Sequence, residues 1–304
     1  MLSLSPGWSR DRSLLDVLLE VESDHAGLCN AAMDTESARR RVDEIVSAAR
    51  QQLASLPESS SPAERAQSAI RTLNGIVLRH AGVRPSQDLH DPCNLFLSSV
   101  LAEKQGYCVG VAAVYLVLAE ELSLPIRAVA TPSHMFLRYD DGEVSINIDP
   151  LSQGAAIPDQ QYIAQHRIAP VSVRKGVFLE DLTADRFLAQ VLNNLGVIYS
   201  ERREFERAAA EYKESLRLDR RLPAAWYNLG KDLSERGQHK KAISAFSKAL
   251  KLNPNDTWAL NNRAMAYQAL QDSSKARRDL ETALQIDPAF EQAKSNLAVL
   301  QAGP

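Results

Sequence analysis

Cysteine is scarce in this chain: Cys29, Cys93 and Cys108 are the three among 304 residues. An odd, sparse set does not make a disulfide framework and fits a reducing compartment. No pair stands at Cys-x-x-Cys spacing and no cysteine–histidine cluster has zinc-site spacing, so neither a metal nor a cofactor is expected. Long apolar runs are also missing. Nothing approaches the roughly 20 apolar residues of a membrane span. The start, MLSLSPGWSRDRSLLDVLLE, soon meets Arg10, Asp11 and Arg12 and makes a poor secretory signal. The expectation is a cytoplasmic protein without a membrane partner, with Met33 a plausible alternative start. Charge of one sign is lacking as well. A formal net charge of −3 gives no reason to expect nucleic-acid binding. The chain is mildly basic after residue 187 and mildly acidic before it, as solvated helix faces are.

What is present is an ordinary globular composition, 45% hydrophobic and 24% charged, with length enough for two domains. The C-terminal third repeats itself. Asn194, Asn228, Asn262 and Asn296 recur at a fixed interval, in step with Ala208, Ala242 and Ala276 and with Tyr212, Phe246 and Leu280. Pro254 and Pro288 close two of the units. This pattern resembles the tetratricopeptide repeat (TPR), a helix–turn–helix unit that buries its apolar face only by stacking on neighbours. The middle copy has Trp226, Leu229, Gly230, Ala242, Phe246 and Pro254 in register and departs at Leu233, where a tyrosine would stand. Three repeats and a capping helix, FEQAKSNLAVLQAGP, imply a concave groove for a protein or peptide ligand. The resemblance implies that the recurring Asn194, Asn228, Asn262 and Asn296 face that groove; the alternative is that they satisfy neighbouring helices. Asn193 and Val197 stand where a carboxylate-clamping subtype carries basic residues, so that specificity is not expected.

Upstream, helical spacing groups Val42, Ile45, Val46, Ala49 and Leu53, and then Ala69, Leu73, Ile76 and Val77, on either side of a loop at PESSSP. DPCNLFLSSVLAEKQG reads as a third, short helix. The next run, CVGVAAVYLVLAEELSLP, places Val111, Val114, Tyr115, Leu118 and Leu122 on a helical stripe that Pro125 stops. Cys108 therefore stands at a helix N-terminus, where the dipole and the free N–H groups favour an anion such as thiolate. The period then changes to two. IRAVATP and HMFLRYDDGEVSINIDP read as strands, with DDGE as the hairpin turn. A hairpin turning there brings its outer ends, His134 and Asp149, side by side. If the sheet packs on the helix beginning at Cys108, the three form a nucleophile, a base and an orienting carboxylate. Asn147, two residues before Asp149 on the same strand face, is the alternative orienter.

The stretch GYCVGVAAVYLVLAEELSLPIRAVATPSHMFLRY, followed by INIDP, resembles the transglutaminase-like core of the papain-like cysteine enzymes. Fused to TPRs, such a core is familiar in bacterial transglutaminase-like regulator proteins. The resemblance implies an α+β N-terminal domain of helices and antiparallel sheet, followed by an all-α TPR solenoid. It implies Cys108 as nucleophile, His134 as general base and acid, and Asp149 as orienting carboxylate. The division expected is a helical extension over 1–60, the enzyme core over 61–186 and the repeats over 187–304. CVGVA and HMF lack the tryptophans of animal transglutaminases, which favours a peptidase or amidase over an acyltransferase. A non-enzymatic TPR scaffold with an inactive core is the competing expectation. Cys29 and Cys93 are expected to be inert, and His80, His90 and His166 to be surface or structural residues.

Overall fold

A computed structural model describes residues 12–29, 34–55, 61–86 and 91–302. Met33, residues 56–60 at the expected PESSSP loop and His90 lie outside the described residues. The chain divides into two compact units. One comprises residues up to Gln161 together with Asp181–Phe187, and the other comprises Tyr162–Glu180 and everything from Leu188.

In the first unit, α1 (Leu14–Asp24) is capped by Ser13, whose hydroxyl accepts the Asp16 N–H. Helix α2 (Thr35–Ala54) starts at Asp34, which accepts from Glu36 and Ser37, and buries Ala38, Val42, Ile45, Val46 and Ala49 on one side. Helix α3 (Pro62–Asn74) has a capping box between Ser61 and Glu64 and runs directly into a π-helical turn, Gly75–His80. The expected third helix is broken in two. A 3₁₀ turn, Pro92–Leu95, precedes α4 (Leu97–Glu103), with extended backbone at Phe96 between them. Two short strands, β1 (Arg84–Pro85) and β2 (Gln105–Gly106), pair in parallel.

Helix α5 (Cys108–Glu121) differs from its sequence expectation in an informative way. Every residue from Val109 to Ala119 is buried, so the apolar stripe is a full cylinder. A helix apolar all round belongs at the centre of its domain. It ends at Glu121, with left-handed Ser123 turning the chain ahead of Pro125. Strands β3 (Ile126–Ala130), β4 (Met135–Asp140) and β5 (Ser145–Ile148) form an antiparallel sheet in sequence order. The DDGE turn is as read: Asp141 accepts from the Glu143 and Val144 N–H groups, and Gly142 takes the positive φ. Asp181–Phe187 extends the first unit from the other edge, through Leu182 N–H to Ala128 C=O.

The helices before residue 61 are not an extension. Leu14 N–H reaches the Glu120 carboxylate on α5 at 2.7 Å, and Glu22 accepts the Ser98 N–H at the start of α4. Cys29 and Cys93 form a disulfide, correcting the expectation of a chain without one. The two cysteines are 64 residues apart, a separation from which sequence spacing carries no pairing signal.

The second unit opens with α6 (Asp159–Gln165), which begins just before it, and α7 (Pro170–Arg174). The repeats follow as α8 (Ala184–Glu201) with α9 (Phe205–Leu218), α10 (Pro223–Glu235) with α11 (His239–Leu252), and α12 (Thr257–Ala269) with α13 (Ser273–Ile286). Helix α14 (Glu291–Ala302) comes last. Tyr162–Glu180 packs with the repeats, not with the core as the expected boundary had it. The Ser172 hydroxyl donates to the Leu252 carbonyl at the end of α11, and Asn255 donates to the Arg167 carbonyl. Helix-end carbonyls lack intrahelical partners, and this segment supplies one.

Within each pair, the small residue on the first helix matches the large one on the second. A Cβ on Gly196 would lie 2.4 Å from the Tyr212 ring, and one on Gly230 would lie 2.8 Å from the Phe246 ring. In the third pair Leu280 replaces the aromatic, and the equivalent first-helix residue is Ala264, fully buried. Ala208, Ala242 and Ala276 are likewise buried. Among the described residues, no helix is long and apolar enough to cross a membrane.

Gly230→Ala is expected to destabilise the repeat unit by about 1–3 kcal/mol through overpacking. Adding Phe246→Leu, which copies the third pair, should lessen the penalty. Urea unfolding measures both; a neutral Gly230→Ala would contradict the packing argument.

Candidate active site

Cys108 is the first residue of α5, half-buried and outside the disulfide. Its neighbours explain its placement. The Tyr107 N–H bonds the Asn94 carbonyl at 2.8 Å, fixing the entry to the helix. Gly106 and Gly110 bracket the cysteine because the chain is tight there. A Cβ at Gly110 would stand 2.3 Å from the Asn94 carbonyl oxygen, and one at Gly106 would stand 2.8 Å from Val100. The helix start is thus pressed onto the Pro92–Leu95 turn, with Cys108 at the end where first-turn N–H groups have no intrahelical partner.

His134 is delivered by a turn that Thr131 closes. The Thr131 hydroxyl donates to the His134 carbonyl at 3.0 Å and accepts the His134 N–H at 3.1 Å. The Thr131 N–H bonds the same carbonyl at 2.8 Å. The imidazole Nε2 lies 2.9 Å from Asp149 Oδ2, and Cys108 stands close enough to the ring to raise its pKa.

Asp149 is buried and divides its two oxygens. Oδ2 meets His134, while Oδ1 accepts the Leu151 and Ser152 N–H groups at 2.9 and 3.1 Å, capping the 3₁₀ turn Pro150–Ser152. The residue is both the turn former that Asp-Pro suggests and the partner of His134.

Burial alone would disfavour the imidazolium. The hydrogen bond to the Asp149 carboxylate, with its charge and the neighbouring Cys108, outweighs it and pushes the His134 pKa up to about 9. The imidazole is therefore cationic at neutral pH, held between a carboxylate and a sulfur.

Asn147 is corrected as an orienter. It shares the strand face, but it pairs in register with Arg138. Its Oδ1 accepts from Arg138 Nε at 2.9 Å, and its Nδ2 donates to the Ile157 carbonyl and to Asp159. Arg138 also bridges Asp159 and Asp181, so the amide belongs to an ion-pair cluster four residues along the chain from His134.

Three of the recurring asparagines make the neighbouring-helix contacts that were the alternative to facing the groove. Asn228 Nδ2 donates to Asn193 at 2.9 Å, Asn262 Nδ2 to the Tyr227 hydroxyl at 3.0 Å, and Asn296 Nδ2 to Asn261 at 2.7 Å. Each amide reaches back to the preceding repeat and fixes the stacking. Asn194, in the first repeat, accepts from Asn193 at 3.4 Å. His166 stacks on Tyr162 in the second unit. Among the described residues, no group of His, Cys, Asp and Glu is assembled to hold a metal ion.

Two participants escaped the sequence reading. Thr131, three residues before His134, fits a local hydroxyl–backbone turn and was findable. Asn94 had no signal, because its part is played by a backbone carbonyl.

A raised folded-state pKa stabilises the fold fully below the unfolded histidine value of 6.5, and that contribution is lost as pH rises through about 9. Unfolding free energy should therefore fall by on the order of 1 kcal/mol or more across this window. Asp149→Asn should flatten the fall. Denaturant titrations at successive pH values measure it; a flat wild-type profile would contradict the ion pair.

Comparison with known proteins gives the same architecture. The model of the transglutaminase-like superfamily matches residues 36–193, and tetratricopeptide-repeat models match 188–222, 223–256 and 245–278. A UPF0162 protein of Xylella fastidiosa is 26% identical over 215 residues, 66% of this chain and 62% of the relative. A UPF0162 protein of Pseudomonas aeruginosa is 26% identical over 194 residues, 63% of this chain and 67% of the relative. The aligned part thus spans 62% of the Xylella relative's length. Among solved structures, the first TPR of Spaghetti (RPAP3) bound to an HSP90 peptide is 25% identical, covering 38% of this chain and 90% of that one with a TM-score of 0.37. With the superfamily model covering more than half of its residues, the chain belongs to the transglutaminase-like superfamily and continues into tetratricopeptide repeats.

Proposed function

We propose that the first unit is a cysteine hydrolase acting on amide or peptide bonds, and that the repeats recruit a protein. One observation carries the reading: the His134 imidazole is hydrogen-bonded to the buried Asp149 carboxylate at 2.9 Å with Cys108, at the start of α5, near enough to act on its charge. In the reaction, the Cys108 thiolate attacks the substrate carbonyl carbon, and the first-turn N–H groups of α5 face the developing oxyanion. The His134 imidazolium gives its proton to the departing amine as the C–N bond breaks, leaving a thioester on Cys108. Water, deprotonated by His134, then attacks the thioester, and the proton returns to the thiolate–imidazole pair as the acid leaves. Asp149 keeps the ring oriented and stabilises its cation. The repeats would bind the protein that carries the substrate bond, lending binding energy to its recruitment.

Iodoacetamide labelling at pH 6.5 tests the nucleophile. Cys108 in the native chain should react at least about tenfold faster than in the urea-unfolded chain, as activated cysteines do. His134→Ala should remove the advantage. Peptide-amide hydrolysis should vanish in Cys108→Ser. Labelling at an ordinary thiol's rate, unaffected by His134→Ala, would favour a scaffold with an inactive core.

A further inference from the structure

Asn74 lies well before the catalytic stretch in sequence and carries no motif, yet its side chain stands between two parts of the site. It is the last residue of α3, next to the π-helical Gly75–His80, where Ala81 N–H bonds Ile76 C=O in the wide turn. Such π turns inside helices concentrate at functional sites. Its Oδ1 accepts the Tyr115 hydroxyl at 2.9 Å. Tyr115 is fully buried on α5, seven residues or two turns beyond Cys108 on the same side of the helix. A buried tyrosine hydroxyl needs a partner. Here the partner is an amide, which can pass the connection on: Asn74 Nδ2 donates to the Gly154 carbonyl at 3.3 Å.

Gly154 belongs to the loop that carries Asp149. The loop is closed on itself by Gly154 N–H to Asp149 C=O at 2.7 Å and Asp149 N–H to Ala155 C=O at 2.9 Å. The Oδ1 contacts with Leu151 and Ser152 tighten it further. Gly154 has φ of +78°, and a Cβ there would lie 2.1 Å from Asn74 Nδ2. Glycine is therefore needed both for the turn and for the close approach of Asn74. A loop this tightly closed moves as one piece, so what holds Gly154 also holds the Asp149 carboxylate.

We propose that Asn74 is a positioning residue: its carboxamide ties the helix of Cys108 to the loop of Asp149 and sets the alignment of the His134–Asp149 pair with the thiol. The inference rests on the hydrolase reading for its purpose, but its geometry is independent of turnover. Losing the tie lets the loop drift from His134, so the imidazolium loses its partner and Cys108 loses its base. A purely structural amide would affect stability without altering the titration of His134.

The test uses the full chain with ¹⁵N-histidine and follows the NMR titration of His134, the pH–rate profile of Cys108 alkylation and the melting temperature. Asn74→Leu, Asn74→Ala and Tyr115→Phe are compared with Ile45→Val, a core change on α2 outside the network. The Asn74 variants should lower the His134 midpoint by about one pH unit, equivalent to about one hydrogen bond, and slow alkylation at pH 7 roughly tenfold. Tyr115→Phe should shift both in the same direction by less. Ile45→Val should lower the melting temperature and leave both profiles alone. Wild-type titration in the Asn74 and Tyr115 variants, or a shift matched by Ile45→Val at equal stability loss, overturns the proposal. If the Asn74 variants do not fold, Tyr115→Phe decides. Slow alkylation of wild-type Cys108 would defeat the hydrolase reading alone, since the His134 titration still judges the role of Asn74.

Discussion

Helix α5 has no polar side to offer water, and much of the first unit follows from that. Val109–Ala119 is buried throughout, so the helix needs cover all round, from α1, α2 and α4 and from the sheet. Burying each large apolar side chain contributes about 1.5–3 kcal/mol, enough to fix where those elements sit. Once they surround α5, the residues at its ends are determined. Cys108 is at its N-terminus, where the Asn94 carbonyl, Gly106 and Gly110 press the chain against the Pro92–Leu95 turn. The open end of the β4–β5 hairpin carries His134 and Asp149 to the same place. The site is thus a by-product of covering one apolar cylinder.

The charges at that site are affordable only as a set. A buried carboxylate or imidazolium by itself would neutralise. Asp149 is met by two backbone N–H groups at one oxygen and by the His134 ring at the other, the partners a buried carboxylate needs. His134 keeps its proton because Asp149 and the thiol flank it. Breaking such a pair by removing one member leaves an uncompensated charge, which is far more damaging than replacing both. The same logic makes the surrounding hydrogen bonds important: Thr131 holds the His134 turn, while Asn74 holds the Asp149 loop.

Much of this was legible in the sequence because the signals were local. The DDGE turn fixes the hairpin, the hairpin makes neighbours of His134 and Asp149, and the apolar run after Cys108 marks a helix start. The recurring alanines and large residues spell out the repeats; that Gly230 faces Phe246 while Ala264 takes its place in the third pair appears only in the packing. What was hidden was non-local. Asn147 and Asp149 share a strand face, and only the register with Arg138 separates their roles. The Cys29–Cys93 disulfide and the Asn74–Gly154 contact join residues 64 and 80 apart. The asparagines at repeat spacing announce a repeated task, but whether the task faces a ligand or the previous repeat is set by side-chain direction. The hydrogen bonds from Asn228, Asn262 and Asn296 point to the previous repeat.

The chemistry of the site depends on His134 being a cation held between sulfur and carboxylate. The most direct measurement is the protonation of its two ring nitrogens by ¹⁵N NMR of the wild-type chain at pH 7.5. The account predicts both nitrogens protonated, with titration only toward pH 9, and a return to ordinary histidine behaviour in Asp149→Asn. A neutral His134 ring at pH 7.5, titrating near 6.5 with or without Asp149, would contradict it.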